Sequence, residues 1–165
     1  MTEECGAVPV TRRDHTQPLP TTPASKAKDK TVTDAQTIAS RFMQALNERD
    51  FDTIGTFLDE DVALDSLTGQ RTIGAGPLRM GVMTYFRHFD ESFSDMVLMH
   101  DALGQRVAVD ATARGHYRET MPGFAEASGQ SYSIPSVFVF EFENGAVTRL
   151  SHYRNIRVFE EMLAR

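Results

Sequence analysis

The chain has 165 residues, 41% of them apolar, with a formal charge of −6 and a pI near 5.3. That content supports one hydrophobic core plus an appendage, and the acidic balance, with no Lys/Arg stripe on any expected element, excludes nucleic acid and an anionic membrane as partners. The longest apolar run, Val137 to Phe140, is far too short to span a bilayer, and Cys5 as the single cysteine excludes an internal disulfide framework. With no secretory signal read at the N-terminus, the expected compartment is the cytoplasm.

Residues 1–31 hold Pro9, Pro18, Pro20 and Pro23 among Thr, Lys, Arg and Asp, with almost no periodic apolar positions. Such a segment cannot bury enough surface to offset its ordering entropy, so a disordered tail is expected, with no role for Cys5 or His15. A single domain is expected over 32–165. Helical signals begin at the N-cap residues Thr33-Asp34, followed by Ile38, Phe42, Ala45 and Leu46 at helical spacing. A shorter helix carrying Ile54, Phe57 and Leu58 follows, then a strand-like run from Val62 to Ser66 and a turn at Thr68-Gly69-Gln70.

Gly74 to Phe93 reads as the longest helix, with Leu78, Val82, Tyr85, Phe86, Phe89 and Phe93 in one stripe and Pro77 near its start. Strand patterns follow over Met96–Asp101, Gln105–Tyr117, Gln130–Phe142 and Val147–Asn155, then a short closing helix over Arg157–Ala164. The last two strands flank Asn144-Gly145, the dipeptide suited to a tight hairpin in which both central residues need φ > 0. This order is α+β, three helices on one face of a mostly antiparallel sheet.

His152 on the last strand can exchange a proton near neutral pH and has mostly apolar neighbours, so it is the first candidate for acid–base chemistry or ligand binding. In RVAVDATARGHY, the period of two puts Arg106, Ala108, Asp110, Thr112 and Arg114 on one face and Val107, Val109, Ala111 and Ala113 on the other. Leu150, His152 and Arg154 share a face on the last strand. Tyr117 and Tyr132 flank the 118–129 loop, where either hydroxyl could meet a ligand or simply pack. His88, between Tyr85 and Phe89, could flank a pocket mouth. Arg87 and Glu91 are spaced to pair along a helix. His100 and His116 read as surface residues. No close-spaced His or Cys set suggests a metal, and no phosphate loop or nucleophile elbow is present.

The segments ALNERDFDTIGTFLDEDVALD, Arg87/Glu91/Asp95, GQSYSIP and FENGAVTRLSHYRN resemble, in order and spacing, the nuclear transport factor 2-like superfamily. Within it, the chain looks most like the SnoaL-like, ketosteroid isomerase-related proteins. The resemblance implies a cone-shaped roll, a strongly bent sheet enclosing a pocket, with a homodimer formed through the sheet's outer face. It implies that Asp65 stands where the isomerases hold their general base. It also sets Phe42 and Phe138 where those enzymes have oxyanion donors, so the steroid isomerase mechanism is disfavoured.

Residues 107–159 are similar to limonene epoxide hydrolase. There Asp110 and His152 match the two acidic positions and Asp65 matches a water-binding asparagine, but Ala108 and Ala63 replace an arginine and a tyrosine of that mechanism. An Asp110–His152 pair with Asp65 nearby is therefore the expected catalytic set, with Phe42, Tyr85, His88, Tyr117, Tyr132, Phe138 and Arg154 as binding candidates. The expected activity is cofactor-free acid–base chemistry on a small apolar carbonyl-type molecule; the alternative is a non-catalytic ligand-binding or dimerisation module. The homodimer face is expected on Val107, Val109, Ala111 and Ala113, extended by Val137 and Val139.

Overall fold

A computed structural model describes residues 23–165, with side-chain surroundings from residue 30 onward; Cys5, His15 and the remainder of the expected tail lie outside the described residues. The elements in order are α1 (Pro23–Glu48), α2 (Phe51–Gly55), β1 (Leu58–Asp65), β2 (Arg71–Ile73), α3 (Ala75–His88), β3 (Phe89–His100), β4 (Arg106–Tyr117), β5 (Ser131–Glu143), β6 (Ala146–Arg154) and α4 (Ile156–Leu163).

Helix α1 starts well before the expected cap at Thr33-Asp34, so 23–31 is helical. Pro23 is tolerated at a first helical position, and the Ala- and Lys-rich stretch after it contains no further Pro or Gly. The apolar periodicity marks only the part of α1 that meets the sheet, beginning at the buried Ala35. Asp50 caps α2 by accepting from the Thr53 amide at 3.0 Å and hydroxyl at 2.6 Å, but α2 is a single turn and Leu58 already belongs to β1.

The third helix ends at His88, not Phe93. Phe89 and Phe93, four apart, fit a helical stripe and a strand face equally well. Here Phe89, Glu91 and Phe93 alternate inward along β3, while Asp90 and Ser92 are exposed. The expected Arg87–Glu91 helical pair therefore does not form, and Arg87 lies 3.7 Å from Glu119. Strand β2 carries no sequence signal of its own beyond the turn before it.

The six strands form one sheet, β2-β1-β6-β5-β4-β3. All neighbours are antiparallel except β1 and β6. Asn144 and Gly145 form the two-residue hairpin with φ of 50° and 82°, as their sequence predicts. Register shifts between Ser94 and Val97 and between Glu141 and Phe142 bend their strands. The bending is large: Glu91 on β3 reaches Arg154 on β6, three places across the sheet, at 2.9 Å. A flat sheet would separate those strands by roughly 14 Å.

The inner face carries Val107, Val109, Ala111, Ala113, Phe138, Phe140 and Leu150, packed under the helices in one core. The face expected to pair two copies, Val107 to Ala113, is thus the core itself. The outer face holds Ala108, Asp110, Val137, Val139 and Tyr153, as the ladder Val97–Asp110–Val137–Tyr153 records. Helix α4 closes the inner face, capped by the Asn155 side chain on Val158 N–H, with Phe159 and Leu163 fully buried. Among the described residues, no helix is long and apolar enough to cross a membrane.

Candidate active site

Between α3 and the inner face lies a cavity of about 320 Å³. Leu64, Phe89, Phe93, Phe138 and Leu150 give it apolar walls, and Met121 and Phe124 reach it from the loop before β5. Ser66, Thr68, Gln70, Thr72 and Thr84 also line it, with Thr68, Gln70 and Thr84 exposed to solvent, so this polar edge is its mouth. Size and lining suit one small organic ligand.

Of the expected site residues, Tyr85, Phe138 and His152 line the cavity. The imidazole of His152 stacks on Phe138 with ring centroids 4.2 Å apart and 11° between planes, and Phe93 meets it edge-on. Its Nε2 lies 3.2 Å from Arg154 Nη2. A guanidinium has only donors, so Nε2 must accept, and the neutral ring then carries its proton on Nδ1. Among the described residues Nδ1 has no protein partner. Burial first, and then the charge of Arg154, hold the His152 pKa well below the usual imidazole value. The cavity thus presents an N–H donor on a neutral ring.

Arg154 is held from behind. Its Nη1 donates to Glu91 Oε2 at 2.9 Å and to Tyr85 Oη at 3.1 Å, and its Nη2 donates to Glu91 Oε1 at 3.0 Å as well as to His152. Tyr85 donates in turn to Glu91 Oε1 at 2.9 Å. The guanidinium lies over the Phe159 ring at 4.7 Å, and both charged side chains are completely buried. Burial first, and then the nearby carboxylate of Glu91, raise the Tyr85 phenol pKa, so it stays protonated. Tyr85 therefore shows its ring to the cavity while its hydroxyl serves the ion pair.

Two of the three expected catalytic groups are elsewhere. Asp65 is the outward residue next to the inward Leu64. It accepts from Arg71 Nε at 2.6 Å, from Arg71 Nη2 at 3.0 Å and from Ser151 Oγ at 3.2 Å. The bond from Arg71, opposed by partial burial and aided by Ser151, lowers its pKa. Asp110 is exposed on the outer face between Val97 and Val137, so the Asp110–His152 pair does not exist. Strand alternation is the reason: both aspartates follow inward apolar residues, and a one-residue step in a strand changes face.

The other candidates divide between core and rim. Phe42 is fully buried, edge-on to Phe140 at 5.2 Å, outside the cavity. Tyr117 is buried against Phe89, and its hydroxyl accepts from the Met121 amide at 2.7 Å, so it positions a cavity residue without touching the cavity. Tyr132 packs on Phe159 in the core. His88 donates from Nδ1 to the Glu119 carbonyl at 3.0 Å and ties down the loop after β4. Glu91 was the residue that sequence reasoning missed. Glu91 alternates inward with Phe89 and Phe93, but that face shows only once β3 is known to be a strand, and only the curled sheet brings it to Arg154. Among the described residues, no group of three or more His, Cys, Asp or Glu is placed to hold a metal ion.

A family model described as a SnoaL-like domain matches residues 39–150. The chain is 28% identical to a "putative polyketide cyclase" from Xanthomonas campestris pv. campestris, with a TM-score of 0.77, over 81% of this chain and 98% of that one. It shares its fold with an NTF2-like protein of unknown function from Burkholderia pseudomallei, at 16% identity, a TM-score of 0.67 and coverage of 80% and 98%. The same is true of an LEH-like epoxide hydrolase from M. tuberculosis, at 19% identity, a TM-score of 0.64 and coverage of 81% and 86%. No curated protein matches the sequence. With more than half its length matched and the roll in place, the chain belongs to the SnoaL-like family and has the nuclear transport factor 2-like fold.

Proposed function

We propose that the cavity binds a small apolar molecule bearing a carbonyl group, and that His152 donates its Nδ1 hydrogen to that oxygen. The single observation that carries this reading is an N–H donor without a protein partner among the apolar walls of the cavity. A hydrogen bond to the carbonyl oxygen acidifies the adjacent carbon, so a water entering by the polar mouth takes the α-proton and the enolate oxygen left behind is held by the His152 N–H. Isomerisation and ring closure share this state, and one donor of this kind is worth on the order of 10²–10³ in rate. The 28% identity to a "putative polyketide cyclase" supports the same class of molecule, since polyketides are rich in carbonyls. The activity is cofactor-free in this reading.

A second reading is binding without turnover. It is favoured by the cavity lining, in which no Asp or Glu appears among the described residues to act as a base. The neutral ketone 2-acetylnaphthalene tests both. In the first reading its bound C=O stretch moves to lower frequency, and its methyl protons exchange with D2O at least ~10-fold faster than in buffer; His152→Phe loses both effects. Bound ketone with a shifted stretch but no exchange favours the second. Absence of binding by this and related aryl ketones would sink the pocket reading altogether.

We also propose that two copies pair through the outer sheet face, where Val97, Met99 and Tyr153 are 57%, 50% and 56% exposed beside the half-buried Val137 and Val139. Light scattering after size exclusion should give a dimer that Val97→Lys weakens. A monomer at micromolar concentration would remove the proposal.

A further inference from the structure

We infer that Glu91 and Arg154, assisted by Tyr85, are positioning residues whose task is to fix which nitrogen of His152 carries the proton. This rests on the reading that His152 faces the ligand, and deepens it. A buried ion pair is a poor source of stability, because desolvating both charges opposes their attraction and a well-packed apolar pair serves as well or better. Both side chains here are nevertheless without any exposure. What the pair achieves is an unambiguous arrangement of protons.

Four N–H bonds of the guanidinium find acceptors: two carboxylate oxygens of Glu91, the Tyr85 oxygen, and His152 Nε2. The two Glu91 contacts fix the plane and direction of the guanidinium fork. Tyr85 spends its own hydrogen on Glu91, so its oxygen can only accept from Arg154. Nothing in the set can be reversed without setting donor against donor. The one nitrogen left to His152 for its hydrogen is Nδ1, the atom without a protein partner.

The groups bearing on the ring from each packed element agree. Tyr85 from α3 is neutral, Glu91 from β3 is neutralised by Arg154, Phe93 and Phe138 are uncharged, and Arg154 itself opposes protonation of Nε2. A lysine would not reproduce this, since an ammonium is a point charge without the planar fork that serves Glu91 and His152 together.

The test is long-range ¹H–¹⁵N correlation NMR of the ligand-free, full-length protein, which distinguishes a protonated ring nitrogen from an unprotonated one. The expected wild-type result is a single tautomer, protonated at Nδ1 and bare at Nε2, unchanged between about pH 5.5 and 8. In the double variant Glu91→Met/Arg154→Met, which leaves neither charge orphaned, the Nε2–H tautomer or the imidazolium becomes populated to roughly a quarter or more. The single variant Arg154→Lys shows the same loss of uniqueness and keeps the test open if the double variant does not fold. A wild-type ring protonated at Nε2, or folded variants that keep the pure Nδ1–H signature, would overturn the inference. Ligand-free spectra do not depend on the pocket's occupant. If the tautomer is as stated but added 2-acetylnaphthalene leaves the His152 signals unmoved, the ligand reading fails and this one stands.

Discussion

The side-chain amide of Asn47 grips the backbone of Phe93 at two points, donating to its carbonyl at 2.9 Å and accepting from its N–H at 2.8 Å. This joins the end of α1 to β3 just before the register shift that follows Ser94, where Asp95 has a φ of 53°. Strand β3 is an edge of the sheet, so backbone groups that point away from β4 have no neighbouring strand; Asn47 satisfies both of those on Phe93 while holding the Phe93 ring against Phe138 at 4.9 Å. Asn47→Ala should therefore cost about 1–3 kcal/mol in urea unfolding and loosen one wall of the cavity. Asn47→Asp keeps the acceptor but sets an anion against a carbonyl, so it should not restore the loss. An unchanged midpoint in both variants would contradict this.

Much of the fold is legible in the sequence because local chemistry and tertiary context agree there. Asn144-Gly145 needs positive φ twice and has it, and β4 alternates so regularly that its buried face is written in Val107, Val109, Ala111 and Ala113. That same alternation already sends Asp110 outward. Asp110 matches an acidic position of an epoxide hydrolase with the same fold, but in this chain the apolar face of β4 is the core and the residues between point out. Phe89 and Phe93 are ambiguous in the sequence, since a spacing of four satisfies both periods. The Glu91–Arg154 pair joins residues 63 apart across a curled sheet. No local pattern measures that distance.

Gly115 is a position where the fold tolerates no side chain. A Cβ there would lie 2.7 Å from the Asp90 carbonyl oxygen, 2.8 Å from the Tyr132 hydroxyl and 2.9 Å from Glu91 Cα. Two of these three neighbours are backbone and cannot swing aside. Gly115→Ala should destabilise by about 1–3 kcal/mol through forced backbone displacement. Adding Tyr132→Phe removes one of the three clashes and should recover a measurable fraction; strict additivity of the two changes would show that the hydroxyl does not share this space.

Asp65 and Asp110 should prove dispensable for ligand binding. Asp65→Asn and Asp110→Asn are expected to bind 2-acetylnaphthalene within about twofold of wild type, because neither side chain borders the cavity. Asp65→Asn should still change acid stability slightly. Its folded pKa is depressed, so its contribution is present above the unfolded value of ~3.9 and is lost as pH falls through the folded one. The pair with Arg71 is partly exposed, which limits the contribution to about 0–1 kcal/mol. Loss of binding in either variant would return these aspartates to the site.

His152 makes the opposite demand on pH. Its folded pKa lies below the unfolded value of ~6.5, so the unfolded chain takes up a proton that the folded chain refuses. The stability that comes from burying the neutral ring is therefore complete above pH ~6.5 and declines as pH falls from there toward the folded pKa. Urea midpoints for wild type should drop between about pH 6.5 and 5, while His152→Phe, which keeps the stack on Phe138 and has nothing to titrate, follows a flatter line. Most carboxylates titrate lower, so the difference between the two curves isolates this ring. Parallel curves would mean that His152 protonates as readily inside the fold as outside it. The donor facing the cavity would then be an imidazolium, and Arg154 could not be beside it as the structure has it.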